Sequence, residues 1–139
     1  IGMINLDTVG RLGNNKLLVL GGSSASEWPH IFNGIGYVTG IPITNVTQPL
    51  DSSDQVSFHE AGIPAVQLFS GVNPDYHRPS DTQGKIDAEG LVKVAKVTKE
   101  AIDYLSAKEA ALSSSPQVGD ANTTAPKTQR KVSLGSIPD

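Results

Sequence analysis

Short apolar runs alternate with longer amphipathic stretches along this chain, which predicts an α/β domain. Three observations carry the reading. Apolar runs stop at a carboxylate or at glycines: Ile1–Asp7, Lys16–Leu20 before Gly21-Gly22, and Ala65–Phe69 before Ser70-Gly71. Residues 88–107 repeat apolar side chains at intervals of three and four, as a helix packed on a sheet does. An acidic, histidine-bearing stretch, D-Y-H-R-P-S-D-T at Asp75–Thr82, follows the third run. In open α/β sheets ligands sit beyond the carboxyl ends of strands, so this loop and the strand end at Asp7 are where chemistry is expected.

Taken in order, Ile1 to Asp7 reads as a buried strand ending in a carboxylate, followed by a turn-rich segment to Asn15. Lys16–Leu20 is a second strand. Ser24-Ala25-Ser26-Glu27 has the capping-box form, so a helix is expected to start there, with Trp28, Ile31, Phe32 and Ile35 on one face. Pro29 is tolerable in its first turn. Ile41–Val46 is a short strand, and Pro42 suggests an edge. Ser53 or Asp54 can cap a short helix over Gln55–Ala61 that Gly62 ends. Ala65–Phe69 is the next strand, and a loop runs from Ser70 to Ile86. Asp87 caps the last helix, whose apolar set is Leu91, Val94, Ala95, Thr98, Ala101, Ile102 and Leu105; Lys93, Lys96, Lys99, Glu100 and Asp103 form a solvated face. Three segments follow from composition: a folded part over 1–109, a Ser/Pro/Thr-rich linker over 110–129, and over 130–139 the opening of a further domain.

The composition removes several classes of function. A net charge of −3 offers no basic field for nucleic acid. No apolar run reaches the roughly 18 residues that would span a bilayer. With no cysteine, any metal ligands are restricted to His, Asp and Glu. Ile1 opens within a strand pattern without an initiator methionine, which points to a preceding segment. G-x-S-x-G, H-E-x-x-H and phosphate-binding glycine loops are all missing. Gly21-Gly22-Ser23-Ser24 before a helix is only a weak anion signal. Asn45-Val46-Thr47 and Asn122-Thr123-Thr124 fit a glycosylation sequon, which has meaning only in a eukaryotic secretory setting.

Each residue that could carry chemistry also has an ordinary role. Asp7 is either a turn residue or a metal-ligating carboxylate at a strand end, and the local pattern favours neither. His77 has the same two readings, and its neighbours Tyr76, Asp75 and Asp81 shift the balance toward function. A ligating histidine needs its second ring nitrogen held, and Asp75 and Asp81 are near enough in sequence to do so. Asp54 opens a helix, a role compatible with supporting a metal ligand. His30 and His59 are read as surface or half-buried helix residues. Arg11 and Arg78 could orient a substrate carboxylate, although an exposed arginine usually does nothing of the kind.

Three blocks then resemble peptidase family M28, the di-zinc aminopeptidases: N-L-D-T-V-G-R-L at Asn5–Leu12, S-D-Q-V-S-F-H-E-A-G-I-P-A-V at Ser53–Val66, and D-Y-H-R-P-S-D-T-Q-G-K-I-D at Asp75–Asp87. They occur in the family's order and spacing within residues 1 to about 107. The resemblance implies a three-layer α/β sandwich with a central mixed sheet flanked by helices, present here as its C-terminal half. It implies two zinc ions in the full-length protein, with Asp7 and His77 as ligands, one to each ion or, as we expect, both to one. Asp54, Asp81 and Asp75 would support those ligands, and Tyr76 would contact substrate or the tetrahedral intermediate. The implied function is hydrolysis of N-terminal residues from peptides, in an exported, periplasmic or extracellular protein. The family's remaining ligands and its catalytic glutamate lie in blocks this chain does not contain, so the missing N-terminal half would be required and the chain alone is expected to be inactive. The final R-K-V-S-L-G-S-I-P-D resembles the lead-in to a PDZ domain. Where the family often has S-D-H, this chain has Ser53-Asp54-Gln55, and a histidine frequent near Asn73 is missing; both bear on specificity. The alternatives are a glutaminyl-peptide cyclase using one zinc, and a binding module that keeps the fold without catalysis.

Overall fold

The structure, a computed structural model, describes residues 1–48 and 53–114. The expected further domain at 130–139 and all but the first residues of the expected linker lie outside the described residues. Four strands, β1 (Met3–Leu6), β2 (Leu17–Leu20), β3 (Ile43–Val46) and β4 (Ala65–Phe69), form one sheet in the order β1-β4-β2-β3. β1 runs parallel to β4, β4 antiparallel to β2, and β2 parallel to β3, so the sheet is mixed. Three helices accompany it: α1 (Trp28–Thr39), α2 (Gln55–Glu60) and α3 (Ala88–Ala107).

Side chains alternate across a strand, and the register therefore divides the sheet into two faces. Leu17, Val19, Val66 and Leu68 lie on one face and are fully buried. They join Trp28, Ile31, Phe32 and Ile35 of α1 and Val94, Val97 and Ala101 of α3 in a single apolar core. Asn5, Leu18, Leu20, Gln67 and Phe69 share the opposite face. There α2 packs, its buried Gln55 reached by the Asn5 side chain. The result is the three-layer α/β sandwich, helices on both sides of a mixed sheet.

β1 differs from the sequence expectation. Its side chains are half-buried or exposed, and it is the outer strand beside β4 among the described residues. An outer strand is covered by neighbours on one side only, so an apolar run there does not become fully buried. β3 lies at the other edge, as Pro42 suggests.

The capping box at Ser24 is not formed. α1 starts four residues later, and no side-chain cap is made at Glu27. The Ser24 hydroxyl is committed elsewhere. It is buried, lies 2.8 Å from the carbonyl oxygens of both Gly21 and Ala65, and accepts from Ala65 N–H at 3.1 Å and Trp28 Nε1–H at 3.0 Å. One hydroxyl thus ties the turn after β2 to the start of β4 and to the largest side chain of the core. Gly21 makes this possible. It sits at φ 79°, and a Cβ there would meet the Ala65 carbonyl at 3.0 Å and the His59 ring at 3.2 Å. α1 itself continues through Gly34 and Gly36 to Thr39 and ends at Gly40 in the left-handed region.

The buried stripe of α3 is Gly90, Val94, Val97 and Ala101. Ala95 and Ile102, expected on that face, are exposed. Intervals of three and four fit two adjacent stripes equally well, and Gly90 decides between them: a Cβ there would come within 2.8 Å of the Leu12 Cβ, so the helix rests where its backbone can approach that loop. Asp87 precedes the helix. Its carboxylate accepts from Gly13 N–H at 2.7 Å rather than serving α3 alone. The N–H groups of Gly90 and Gly13 hold its carboxyl below the ordinary value. Beyond α3, Leu112 packs against the core, and Ser113 bonds the Glu27 carboxylate through its N–H and its hydroxyl.

Ser24→Ala removes the acceptor of two buried donors, the Trp28 indole N–H and the Ala65 N–H. A loss of about 2–4 kcal/mol is expected, since each unsatisfied buried donor costs roughly 1–3 kcal/mol. Urea denaturation followed through Trp28, the one tryptophan of the chain, measures it; a loss within error of zero would mean water replaces the hydroxyl.

Candidate functional site

The carboxyl ends of β1 and β4 point the same way because those strands are parallel, with Leu6 opposite Leu68. Asp7 and the loop that begins at Ser70 therefore emerge side by side. Ser70 fixes the junction: its N–H donates to the Thr8 carbonyl at 3.1 Å and its hydroxyl to the same oxygen at 2.6 Å. This brings together the two segments the sequence singles out, which lie some sixty residues apart.

Two cavities meet at this rim. One, of about 410 Å³, is lined by Asp7, Thr8 and Ser53 at one end and by Leu18, Leu20, Phe69, Val72 and Tyr76 beyond them. The other, of about 480 Å³, shares Asp7, Thr8 and Tyr76 and adds Arg11, His77 and Asp81. Asp7, Tyr76, His77 and Asp81 thus line one space. Asp54 lines neither cavity and is exposed at the start of α2.

The carboxylates of the site differ in their partners. Asp75 accepts from Lys85 Nζ and Ser80 Oγ, each at 2.7 Å, and from Arg11 at 3.4 Å. The Lys85 and Ser80 hydrogen bonds, with the charges of Lys85 and Arg11, push its carboxyl down to about 2. Asp81 pairs with the same Arg11 guanidinium at 2.5 Å. Asp7 has no cationic partner among the described residues. Among the described residues its oxygens accept from two hydroxyls, Thr8 at 3.2 Å and Ser53 at 2.9 Å. Ser53 in turn accepts from Asn5 Nδ2 at 2.9 Å, and Asn5 lies 3.4 Å from Gln55 Oε1. Ser53 thus accepts from Asn5 and donates its one proton to Asp7.

His77 stacks on Tyr76, ring centroids 3.9 Å apart, and both rings are exposed. Among the described residues neither Asp75 nor Asp81 is hydrogen-bonded to His77; both are held by Arg11. Arg11 is engaged by carboxylates of its own chain, the alternative that neither reading of it from sequence included. His59 is half-buried with Nε2 2.8 Å from the Ala65 carbonyl, and His30 is exposed on α1, the half-buried and surface placements expected of them. No cluster of three or more His, Cys, Asp or Glu able to hold a metal occurs among the described residues.

Ser53, which the sequence offers only as a helix cap, and Thr8 are site residues that sequence reasoning misses. Both sit at positive φ, 83° and 54°, and His77 is at 57°; among the described residues these are the non-glycine residues so placed. Such conformations cost about 1–3 kcal/mol each and persist where the surroundings hold them. All three are at the rim. No residue type in the sequence marks them, since Thr and Ser do not favour that region.

The fold and the site define an α/β protein with its polar residues gathered at the carboxyl ends of two parallel strands. The chain belongs to peptidase family M28, whose family model matches residues 2–102. Among solved structures it is similar to BSAP, a zinc aminopeptidase from Bacillus subtilis, with 29% identity and a TM-score of 0.64 over 79% of this chain and 29% of that one. It is also similar to the LapA aminopeptidase of Legionella pneumophila, with 19% identity and a TM-score of 0.65 over 78% of this chain and 32% of that one; this second likeness speaks to the fold alone. The chain therefore spans about a third of the length of these aminopeptidases. No curated relative matches it.

Ser53→Ala and Ser53→Gly both lose the hydroxyl on Asp7, but only alanine keeps the strain at φ 83°. Ser53→Gly is expected to be the more stable of the two by about 1 kcal/mol. Parallel urea titrations check it, and equal midpoints would show that the backbone relaxes at no cost.

Proposed function

We propose that this chain is part of a zinc-dependent aminopeptidase that releases N-terminal residues from peptides, with Asp7 and His77 as metal ligands. The observation that carries the reading is the one carboxylate of the site that has no cationic partner among the described residues, Asp7, on a cavity shared with His77, in a chain of peptidase family M28. Asp75 and Asp81 are already neutralised by Arg11 and Lys85, so they are poor candidates for a second cation. A carboxylate oxygen and an imidazole nitrogen are donors that zinc takes. Asp7 and His77 would hold the metal, and the remaining ligands would come from outside the chain. When bound, zinc polarises a peptide carbonyl and lowers the pKa of a coordinated water.

The chain's own residues have definable tasks. Ser53 holds the Asp7 carboxylate in one orientation through a hydrogen bond that Asn5 aims. Tyr76, exposed beside His77 and facing both cavities, can donate its phenol proton to an oxygen of the substrate or of the tetrahedral intermediate. The apolar wall of Leu18, Leu20, Phe69 and Val72 can exclude water from one side of the site and cover an apolar side chain. A positively charged peptide N-terminus is favoured near the unpaired Asp7 charge.

In the whole protein, Asp7→Ala and His77→Ala are each expected to lower zinc content and to reduce hydrolysis of an aminoacyl anilide by at least about 100-fold, the upper end of what the loss of a mere supporting residue does. Tyr76→Phe is expected to lower kcat with KM little changed. The 139-residue chain alone should show no hydrolysis, because two ligands leave the metal open on most sides. Elemental analysis beside the anilide assay decides. Full zinc content in both alanine variants would overturn the ligand assignment, and one zinc with cyclisation of N-terminal glutamine would replace the aminopeptidase reading.

A further inference from the structure

We propose that Arg11 positions His77: one guanidinium, anchored just past the Asp7 strand end, clasps both ends of the turn that carries the histidine. The proposal rests on the reading of His77 as a metal ligand. Asp75 precedes His77 by two residues and Asp81 follows it by four. Arg11 Nη2 reaches both, at 3.4 Å and 2.5 Å. Asp75 is gripped a second time by Lys85 and by Ser80 from the far side of the same loop. Within the turn, Arg78 N–H donates to the Asp75 carbonyl at 2.9 Å and Asp81 N–H to the Arg78 carbonyl at 3.0 Å. These local bonds define the turn but do not attach it to anything. The loop is attached to the Asp7 segment at its start by the Ser70–Thr8 hydrogen bonds, at its end by Asp87 N–H to the Gly10 carbonyl and Gly13 N–H to the Asp87 carboxylate, and between them by the Arg11 pairs, which alone of these reach the residues flanking His77.

The backbone gives the clasp its purpose. His77 is held at φ 57°, a conformation an unrestrained loop residue leaves readily. His77 itself makes no hydrogen bond among the described residues, and its stacking partner Tyr76 is exposed with it. The restraint must therefore come from the turn's ends. Both contacts come from one nitrogen, Nη2, whose two N–H groups are fixed in the guanidinium plane, whereas a lysine ammonium is a freely turning point charge. Arg11 and Lys85 together balance Asp75 and Asp81. The guanidinium is thereby no receptor for a substrate carboxylate, and the cluster leaves Asp7 as the uncompensated charge at the rim.

The test uses the whole protein with Arg11→Met, Arg11→Lys and Asp81→Asn, each also made in a His77→Ala background. Two quantities are read: amide hydrogen exchange across residues 75–81 in the protein as isolated, and zinc affinity by chelator competition. In Arg11→Met the loop amides are expected to exchange at least about tenfold faster, and zinc to bind about 10- to 100-fold more weakly, as when a residue that orients a ligand is lost. Asp81→Asn and Arg11→Lys should fall between Arg11→Met and the parent. In the His77→Ala background the same changes should weaken zinc no further, because the ligand they position is gone. Unchanged loop exchange in both Arg11→Met and Asp81→Asn would overturn the proposal. So would an equal loss of zinc affinity with and without His77, which marks a general loss of packing. If the parent binds no zinc, the metal reading of His77 fails, and exchange alone decides whether the clasp exists; Asp81→Asn, which leaves Arg11 bonded to Asp75, keeps that decision open should Arg11→Met not fold.

Discussion

The parallel pairing of β1 with β4 is the constraint on which the rest of this structure depends. It sets Leu6 opposite Leu68, and so it makes Asp7 and Ser70 neighbours at one edge of the sheet. A shift of the register by one residue would turn Asn5 from the α2 side to the core side and remove Asp7 from Ser53. The antiparallel β4–β2 pairing then brings Leu18 and Leu20 beside Gln67 and Phe69, giving the rim an apolar wall. Ser24 secures the arrangement at the opposite end, where β4 begins, by binding the Ala65 backbone and the Trp28 indole with one hydroxyl. Both ends of the central strand are thus fixed by serine side chains whose partners are distant in sequence.

What could be read from the sequence is what local pattern determines. β4, β2 and the burial of Trp28, Ile31, Phe32 and Ile35 follow from runs and periods within a dozen residues, and they are found as expected. Asp7 and His77 stand out in sequence by their place after strands, and the fold brings both to one cavity. What could not be read depends on partners far along the chain. Ser24 has the residue type and spacing of a helix cap, but a buried backbone forty residues on claims it. Asp54 reads locally as a helix cap compatible with supporting a ligand, yet it makes no side-chain cap bond, and the hydroxyl of Ser53 beside it is the group that meets Asp7. The stripe of α3 was set by the close approach of Gly90 to Leu12, which periodicity alone cannot weigh.

Arg11 is the clearest instance of this limit. In sequence it is a lone cation after a strand, and its two carboxylate partners lie 64 and 70 residues away. Local pattern gives it either a substrate or nothing. Only the β1–β4 register, which carries the segment after Asp7 over the loop after Ser70, makes an internal pairing possible. The same step changes the meaning of the acidic loop. Asp75 and Asp81 stand in sequence as partners for the second ring nitrogen of His77, but among the described residues both belong to an ion-pair network with Arg11 and Lys85.

This separation of charges bears on how the rim is kept in shape. Thr8, Ser53 and His77 sit in conformations that cost on the order of 1–3 kcal/mol each, and all three touch or flank the residues read as the metal site. Exposed ion pairs contribute only about 0–1 kcal/mol, so the Arg11 network cannot offset that strain by its own strength. Its effect is geometric. The strain at Thr8 is held by a strand end bonded to Ser70, and that at Ser53 by hydrogen bonds to Asp7 and Asn5. His77 has neither kind of anchor, and its turn is held at both ends instead. The stability that offsets this strain therefore has to come from burial in the core of α1, α3 and the sheet, while the polar contacts at the rim fix where the three strained residues sit.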